Sequence, residues 1–367
     1  DQLETMPLSK IDCHRLVFVN GRYAHELSSL GHLPVGVKIQ GLEESLASEQ
    51  SILRMHLTRN ASFDDRPFVA LNTAFIRDGA FIEIPDGIVL EKPIYLSFVS
   101  AADGKPMVTH QRNLILMGRN SQATIIEGYL GVGDGPCFTN PVTEIVLGEN
   151  AIANHYKLQY ESAAAFHIGL LDADQDRGSG LFSLSVSLGG GLVRNEIATL
   201  LAGQGSECRL DGLYLARGRQ HIDNHTVIDH ATRNSTSREF YKGILDDAAT
   251  AVFNGRIVVR KDAQKTDARQ TNRNLLLSAD AEINSKPELQ IFADDVKCSH
   301  GATIGQLDRE ALFYLRSRGI GQEEARAMLT FAFADEVLVR IGADNVRDEF
   351  SRTVKSALSQ ISRSQDS

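Results

Sequence analysis

Near the C-terminal end, Cys298-Ser299-His300 sets a thiol and an imidazole two positions apart. On an extended strand, side chains two apart project to the same face. There the two groups can bind a soft metal or an iron–sulfur fragment together, or act as a Cys–His nucleophilic pair. The same spacing also fits a cysteine that is only a small buried apolar residue. A second row, His221, Asp223 and His225, followed by Asp229-His230, alternates in the same way. It reads as a metal-binding row or as a ladder of polar side chains in which a carboxylate orients an imidazole, and the ladder is preferred.

Other chemistries are missing. Gly189-Gly190-Gly191 is not followed by Lys-Ser/Thr and opens no helix, so neither a Walker A loop nor a dinucleotide fingerprint is written. If ATP drives the protein's work, another subunit binds it. No nucleophile elbow and no His-Glu-x-x-His helix is present. The four cysteines, Cys13, Cys137, Cys208 and Cys298, form no CxxC pair, which excludes a zinc ribbon or a dithiol motif and suits a reducing compartment. A net charge of −9 argues against general nucleic-acid binding. The cluster Arg256, Arg260, Lys261, Lys265, Arg269 and Arg273 is diluted by Asp262 and Asp267 and reads as a solvated face. No apolar run approaches the roughly 20 residues that cross a bilayer, and no leader is visible at the start. A cytoplasmic protein is expected.

The elements that would position these residues fall into three stretches: 1–67, 68–304 and 305–367. The first holds a strand, Arg15 to Val19, closed by the turn Asn20-Gly21, and then one amphipathic helix through Leu42, Leu46, Ile52, Leu53 and Leu57. The second is a long succession of short alternating strands punctuated by Gly, Asn and Asp, as in a sandwich, barrel or solenoid. A loose repeat places a small residue after each turn, at Ser121, Ala151, Ser206, Ala249, Ala263 and Ala281. The gaps are multiples of about 14 to 18 residues, which favours a stacked coil. A coil of this kind leaves open strand edges at its ends, ready to pair with another chain, a homodimer included. In the third stretch, Asp308 caps a helix that stops at Gly319. A second helix is apolar almost all round (Met328, Leu329, Phe331, Phe333, Val337, Leu338), and a third carries Val346, Phe350, Val354, Leu358 and Ile361 on one stripe. This stretch is a helical cap or a docking surface.

Longer motifs carry a resemblance. The segment Lys286 to Thr303 (KPELQIFADDVKCSHGAT) and the segment Leu312 to Ile320 (LFYLRSRGI) resemble the SufB/SufD family of SUF iron–sulfur cluster assembly proteins. So do Asp223 to Thr226 (DNHT), Gly255 to Val259 (GRIVV), Lys265 to Asp267 (KTD), Gln270 to Asn272 (QTN) and Arg15 to Tyr23 (RLVFVNGRY). The resemblance implies a mainly β fold, a right-handed parallel β-helix flanked by helical segments. It implies a scaffold rather than an enzyme, paired with SufB and docking the ATPase SufC through the C-terminal helices. It also implies a transient iron–sulfur cluster shared with SufB, with none held tightly by the isolated chain. Carried onto this sequence, Cys298 and His300 match the motif that faces SufB, and His300 is the stronger ligand candidate. SufB-type chains carry a cysteine near the place of Arg273, so its absence favours the SufD type. Relatives of that type carry an extra helical region before the strand at Arg15, so this chain reads as N-terminally shortened. The competing reading is a β-helix enzyme acting on polysaccharides, which needs a carboxylate or basic cluster along one groove.

Overall fold

The computed structural model describes residues 5–363 except 103 and 134, with the side chains of 360–363 outside the description. It is a parallel β-solenoid of about seven turns. One sheet has ten strands and runs from Arg22–Tyr23 and His14–Val19 at one end to Asp267–Leu276 and Lys297–Gly305 at the other. The opposing sheet of eleven strands runs from Lys38–Gly41 to Glu282–Ile291. Among the described residues the antiparallel strand pairs, 14–19 with 22–23 and 38–41 with 80–84, both lie at the N-terminal end. The first is a hairpin whose turn residues Asn20 and Gly21 both have positive φ, 52° and 76°, as a tight primed turn demands.

In the regular half, successive strands start at residues 207, 221, 236, 250, 267, 282 and 297. The unit legible in the sequence is therefore one strand and one corner, and two units complete a turn. The corners explain the small residues. Ser121, Ala151, Ser206, Ala249 and Ala263 are all buried, and Asn120, Asn150 and Asp247 adopt left-handed φ in or beside these turns. An amide such as Ala151 N then closes on Gly148 O at 3.0 Å. A larger side chain at these sites would hold the two sheets apart. Inside, strand alternation stacks like positions over like: Ala123, Ala153, Leu181, Cys208, Ser237, Ala268 and Cys298 form one inward row.

Two sets of helices cover the outside. At the N-terminal end lie α1 (Leu42–Ser48), α2 (Gln50–His56) and α3 (Pro67–Ala74). The single helix expected over 42–57 breaks at Glu49, whose φ and ψ of −121° and 29° are not helical. The Glu49 side chain accepts from Lys38 Nζ at 2.8 Å, and the break turns Leu53 in beside Leu42, Phe81 and Leu114. This region is fastened by a fully buried ion pair, Arg112 Nη2 to Glu144 Oε1 at 2.6 Å. Glu144 also accepts the backbone amides of Thr58, Asn60 and Ala61. Removing one partner strands the other charge in the interior, so Glu144→Leu is expected to cost about 3–5 kcal/mol in a urea unfolding titration.

At the other side lie α4 (Arg309–Ser317), α5 (Gln322–Leu338) and α6 (Asp344–Arg363). Asp308 caps α4 through Glu310 N and Ala311 N, and Gly319 ends it with φ +86°. The second half of α5 and the Val346, Phe350, Val354, Leu358 stripe of α6 pack on Tyr156, Leu184, Leu213 and Phe240 of the ten-stranded sheet. The side chain of Ile361 lies outside the described residues. Lys242 locks α5 down by donating to Phe333 O at 2.9 Å and pairing with Glu336 at 2.8 Å. By contrast α4 buries nothing, and Phe313 and Tyr314 stand in solvent. The all-round apolarity of α5 thus has one explained side, the sheet, and one exposed end at Met328. No helix among the described residues is long and apolar enough to cross a membrane.

Candidate functional site

The last rung is where the solenoid is unfinished. Among the described residues, Lys297–Gly305 pairs with 267–276 on one side and has no strand on the other. Glu282–Ile291 likewise pairs only with 250–259. In the first strand Lys297 N bonds to Thr266 O at 2.8 Å. Amides alternate along a strand, so those of Cys298, His300, Ala302 and Ile304 point off the free edge. In the second, Glu282 N bonds to Ala249 O, so the nitrogen of Pro287 falls on the free side, the place where a sheet tolerates proline. The Lys297–Gly305 edge is therefore the more complete template for an added strand. Ile291, Phe292 and Ile304 are exposed around it.

Cys298 and His300 occupy this edge strand. Their register partners, Ala268 and Gln270, are buried inward-facing residues. Both side chains therefore belong to the lumen rows, left at an open mouth because no further rung covers them. Cys298 is half-buried against the core, and His300 is exposed. Burial pushes the Cys298 thiol up; the Ala268 amide opposes this and the Asp267 charge adds to it. Among the described residues no hydrogen bond joins Cys298 to His300. A raised thiol without a base is the opposite of an activated nucleophile, so the Cys–His nucleophile reading finds no support. Two soft or borderline donors at the open mouth of the lumen do suit a cluster fragment. Two are short of a full ligand set, and no trio of His, Cys, Asp and Glu that could hold a metal occurs among the described residues.

The other row resolves as a ladder. His221 Nδ1 contacts Thr250 Oγ1 at 2.7 Å, while Asp223 contacts His225 Nε2 at 2.8 Å and also pairs with Arg194. A guanidinium inside the row is hostile to a cation, so the metal-binding alternative for His221, Asp223 and His225 is dropped. Half of the basic cluster is likewise neutralised: Arg260 pairs with Asp229, Arg273 with Glu336 and Arg269 with Asp267.

Sequence reasoning missed the polar lumen. Glu127, His155, Lys157, Glu161, His167 and Glu239 are all buried or nearly so. Lys157 Nζ lies 2.9 Å from both His167 Nε2 and Asn195 Oδ1, and His167 Nδ1 lies 2.8 Å from Glu161 Oε2. Burial pulls Lys157 down to about 8. The signal was present in His155-Tyr-Lys157-Leu-Gln159, whose polar residues alternate, but period 2 alone does not say which face is inside. Higher in the lumen, burial pushes Glu239 up to about 7 against hydrogen bonds from Thr226 and Gln270, with Asp211 adding to the rise. A carboxyl raised in the fold contributes stability that is complete below its unfolded value of about 4.5 and is lost as pH rises through 7. The difference in unfolding free energy between Glu239→Gln and the parent should therefore grow by about 3 kcal/mol from pH 4.5 to pH 8. Urea titrations across that range measure it, and a flat difference would show that Glu239 titrates normally.

This is a parallel solenoid with one end sealed by antiparallel strands and the other left open behind a thiol and an imidazole. Residues 98–333 match the family described as "SUF system FeS cluster assembly, SufBD core domain", and residues 7–96 match "SufBD protein N-terminal region". The chain belongs to the SufB/SufD family, and with it to the SUF system of iron–sulfur cluster assembly. It is 38% identical to the SufBD family protein slr0076 of Synechocystis, over 89% of this chain and 74% of the relative. It is 34% identical to iron–sulfur cluster assembly protein SufD of Escherichia coli, over 92% and 77%. It is also 34% identical to chloroplastic protein ABCI7 of Arabidopsis thaliana, over 93% and 73%.

Proposed function

We propose that this chain is a cytoplasmic, non-catalytic scaffold subunit of the SUF machinery. Its open rung pairs with a SufB-type chain, and a transient iron–sulfur cluster is built across the junction with His300 as ligand and Cys298 as second donor or interface residue. One observation carries the reading: of the two strands left unpaired at the open end, the one whose free edge no proline interrupts is also the strand that bears Cys298 and His300. A partner strand added there covers both side chains and supplies the donors this chain lacks. The exposed Phe313 and Tyr314 of α4, with Met328 of α5, supply the apolar contact for the ATPase SufC. The polysaccharide reading has nothing comparable, because the acidic side chains of the lumen are sealed from any polymer.

Co-expression with SufB and SufC, anaerobic purification, and iron and sulfide analysis test the proposal. A stable complex carrying both elements is expected, while the isolated chain holds little iron and is a monomer or a homodimer through the same edge. Failure of the three chains to associate would overturn it.

A further inference from the structure

Beneath His300, one rung down and in register with it, lies Gln270. Its side chain is buried, and its Nε2 donates to Glu239 Oε2 at 2.5 Å. Glu239 is in turn the register partner of Gln270 in the rung below. The oxygen and nitrogen of a carboxamide diverge from one carbon within a single plane, so they point different ways. With the nitrogen turned down toward Glu239, the oxygen is turned up toward the rung of His300. That oxygen, Gln270 Oε1, is buried and has no hydrogen-bond partner. Buried polar atoms are almost always paired, so an orphan one calls for an explanation.

Room for this arrangement comes from the opposite sheet. A Cβ at Gly255 would lie 2.2 Å from Gln270 Nε2, so a side chain there would push the amide out of line. Neighbouring strands are about 4.8 Å apart, which puts an inward-turned imidazole at 300 within hydrogen-bond reach of the free oxygen.

We propose that Gln270 is a positioning residue for His300. Its amide oxygen accepts the N–H of the inward ring nitrogen, which fixes the tautomer and leaves the lone pair of the other nitrogen aimed out of the open mouth. Glu239 acts through Gln270 by holding the amide the right way round. Histidines that bind metals are commonly set in this manner by a carbonyl or carboxylate behind them. The purpose of the contact rests on the reading of His300 as a cluster ligand, but the contact itself does not.

The test uses the full chain, free of iron, labelled with 15N-histidine. His300→Ala assigns the ring signals, and the nitrogen shifts at pH 8 give the tautomer ratio. In the parent one tautomer should exceed the other by about fivefold more than in an unstructured histidine, the bias that one ordinary hydrogen bond gives. Gln270→Met should remove that bias, and Glu239→Leu, which leaves Gln270 free to turn over, should weaken it. If Gln270→Met does not fold, Glu239→Leu decides alone. A tautomer ratio equal to that of unstructured histidine in the parent, or unchanged in the folded variants, overturns the proposal. Normal cluster content in a His300→Ala complex would instead remove the ligand reading and leave the tautomer result standing.

Discussion

His300→Ala, co-expressed with SufB and SufC and purified without oxygen, should give an intact complex whose cluster content is lower by roughly tenfold or more. That magnitude follows because even residues behind a metal ligand typically change affinity 10–100-fold, and His300 is placed as the ligand itself. The complex should survive because His300 is exposed and, apart from the bond proposed to Gln270, its side chain makes no hydrogen bond to the rest of the chain among the described residues. Its loss therefore leaves the solenoid's own packing untouched. Iron and acid-labile sulfide per complex, with size-exclusion chromatography to verify assembly, measure both halves of the expectation. Undiminished cluster content would take His300 out of the mechanism. The matching Cys298 change should act more weakly on the cluster and more strongly on folding, since Cys298 packs against the core and its thiol is held protonated by burial.

The second large effect is on association. Ala302→Pro should leave the isolated chain folded and weaken pairing with SufB by about 30-fold or more, the scale of an interface hot spot. The amide at 302 points off the free edge, so proline there breaks no bond of the existing ladder. It removes one donor that an added strand would need and places a ring in its path. Pairing measured by calorimetry or pull-down, beside an unchanged thermal midpoint of the isolated chain, separates an interface defect from a folding defect. Unimpaired pairing would move the interface away from this strand.

Much of this architecture was legible beforehand, for identifiable reasons. A parallel solenoid repeats its corners, and each corner needs a small residue where the sheets converge. Ser121, Ala151, Ala249 and Ala263 therefore recur, and their spacing favoured a stacked coil, while the resemblance supplied the parallel β-helix. Asp308 and Gly319 marked α4 because capping and left-handed termination are local properties of the chain. The break at Glu49 was not legible, because the apolar spacing of Leu42, Leu46 and Leu53 continues smoothly through it. Only Lys38 on a neighbouring strand and the pocket formed by Phe81 and Leu114 decide it.

The site was legible to the same mixed degree. Period 2 correctly put Cys298 and His300 on one face, but nothing in the sequence says that this face is the lumen of the final rung. Period 2 also aligned His221, Asp223 and His225, and Arg194, 29 residues away from Asp223 in sequence, changed what that row means. The charged lumen escaped altogether. A buried glutamate or lysine is exceptional, and Glu127, Lys157 and Glu239 become credible interior residues only once Thr143, Asn195 and Gln270 are seen stacked beside them.

Hydrogen exchange on the edge strand reaches the centre of the account. In the isolated chain the amides of Cys298, His300, Ala302 and Ile304 have no backbone acceptor and should exchange fast, while their neighbours Ser299, Gly301 and Thr303 are slowed by the ladder to 267–276. On addition of SufB the four outward amides should become protected together. Formation of a stable complex in which those four amides exchange as fast as before would contradict it.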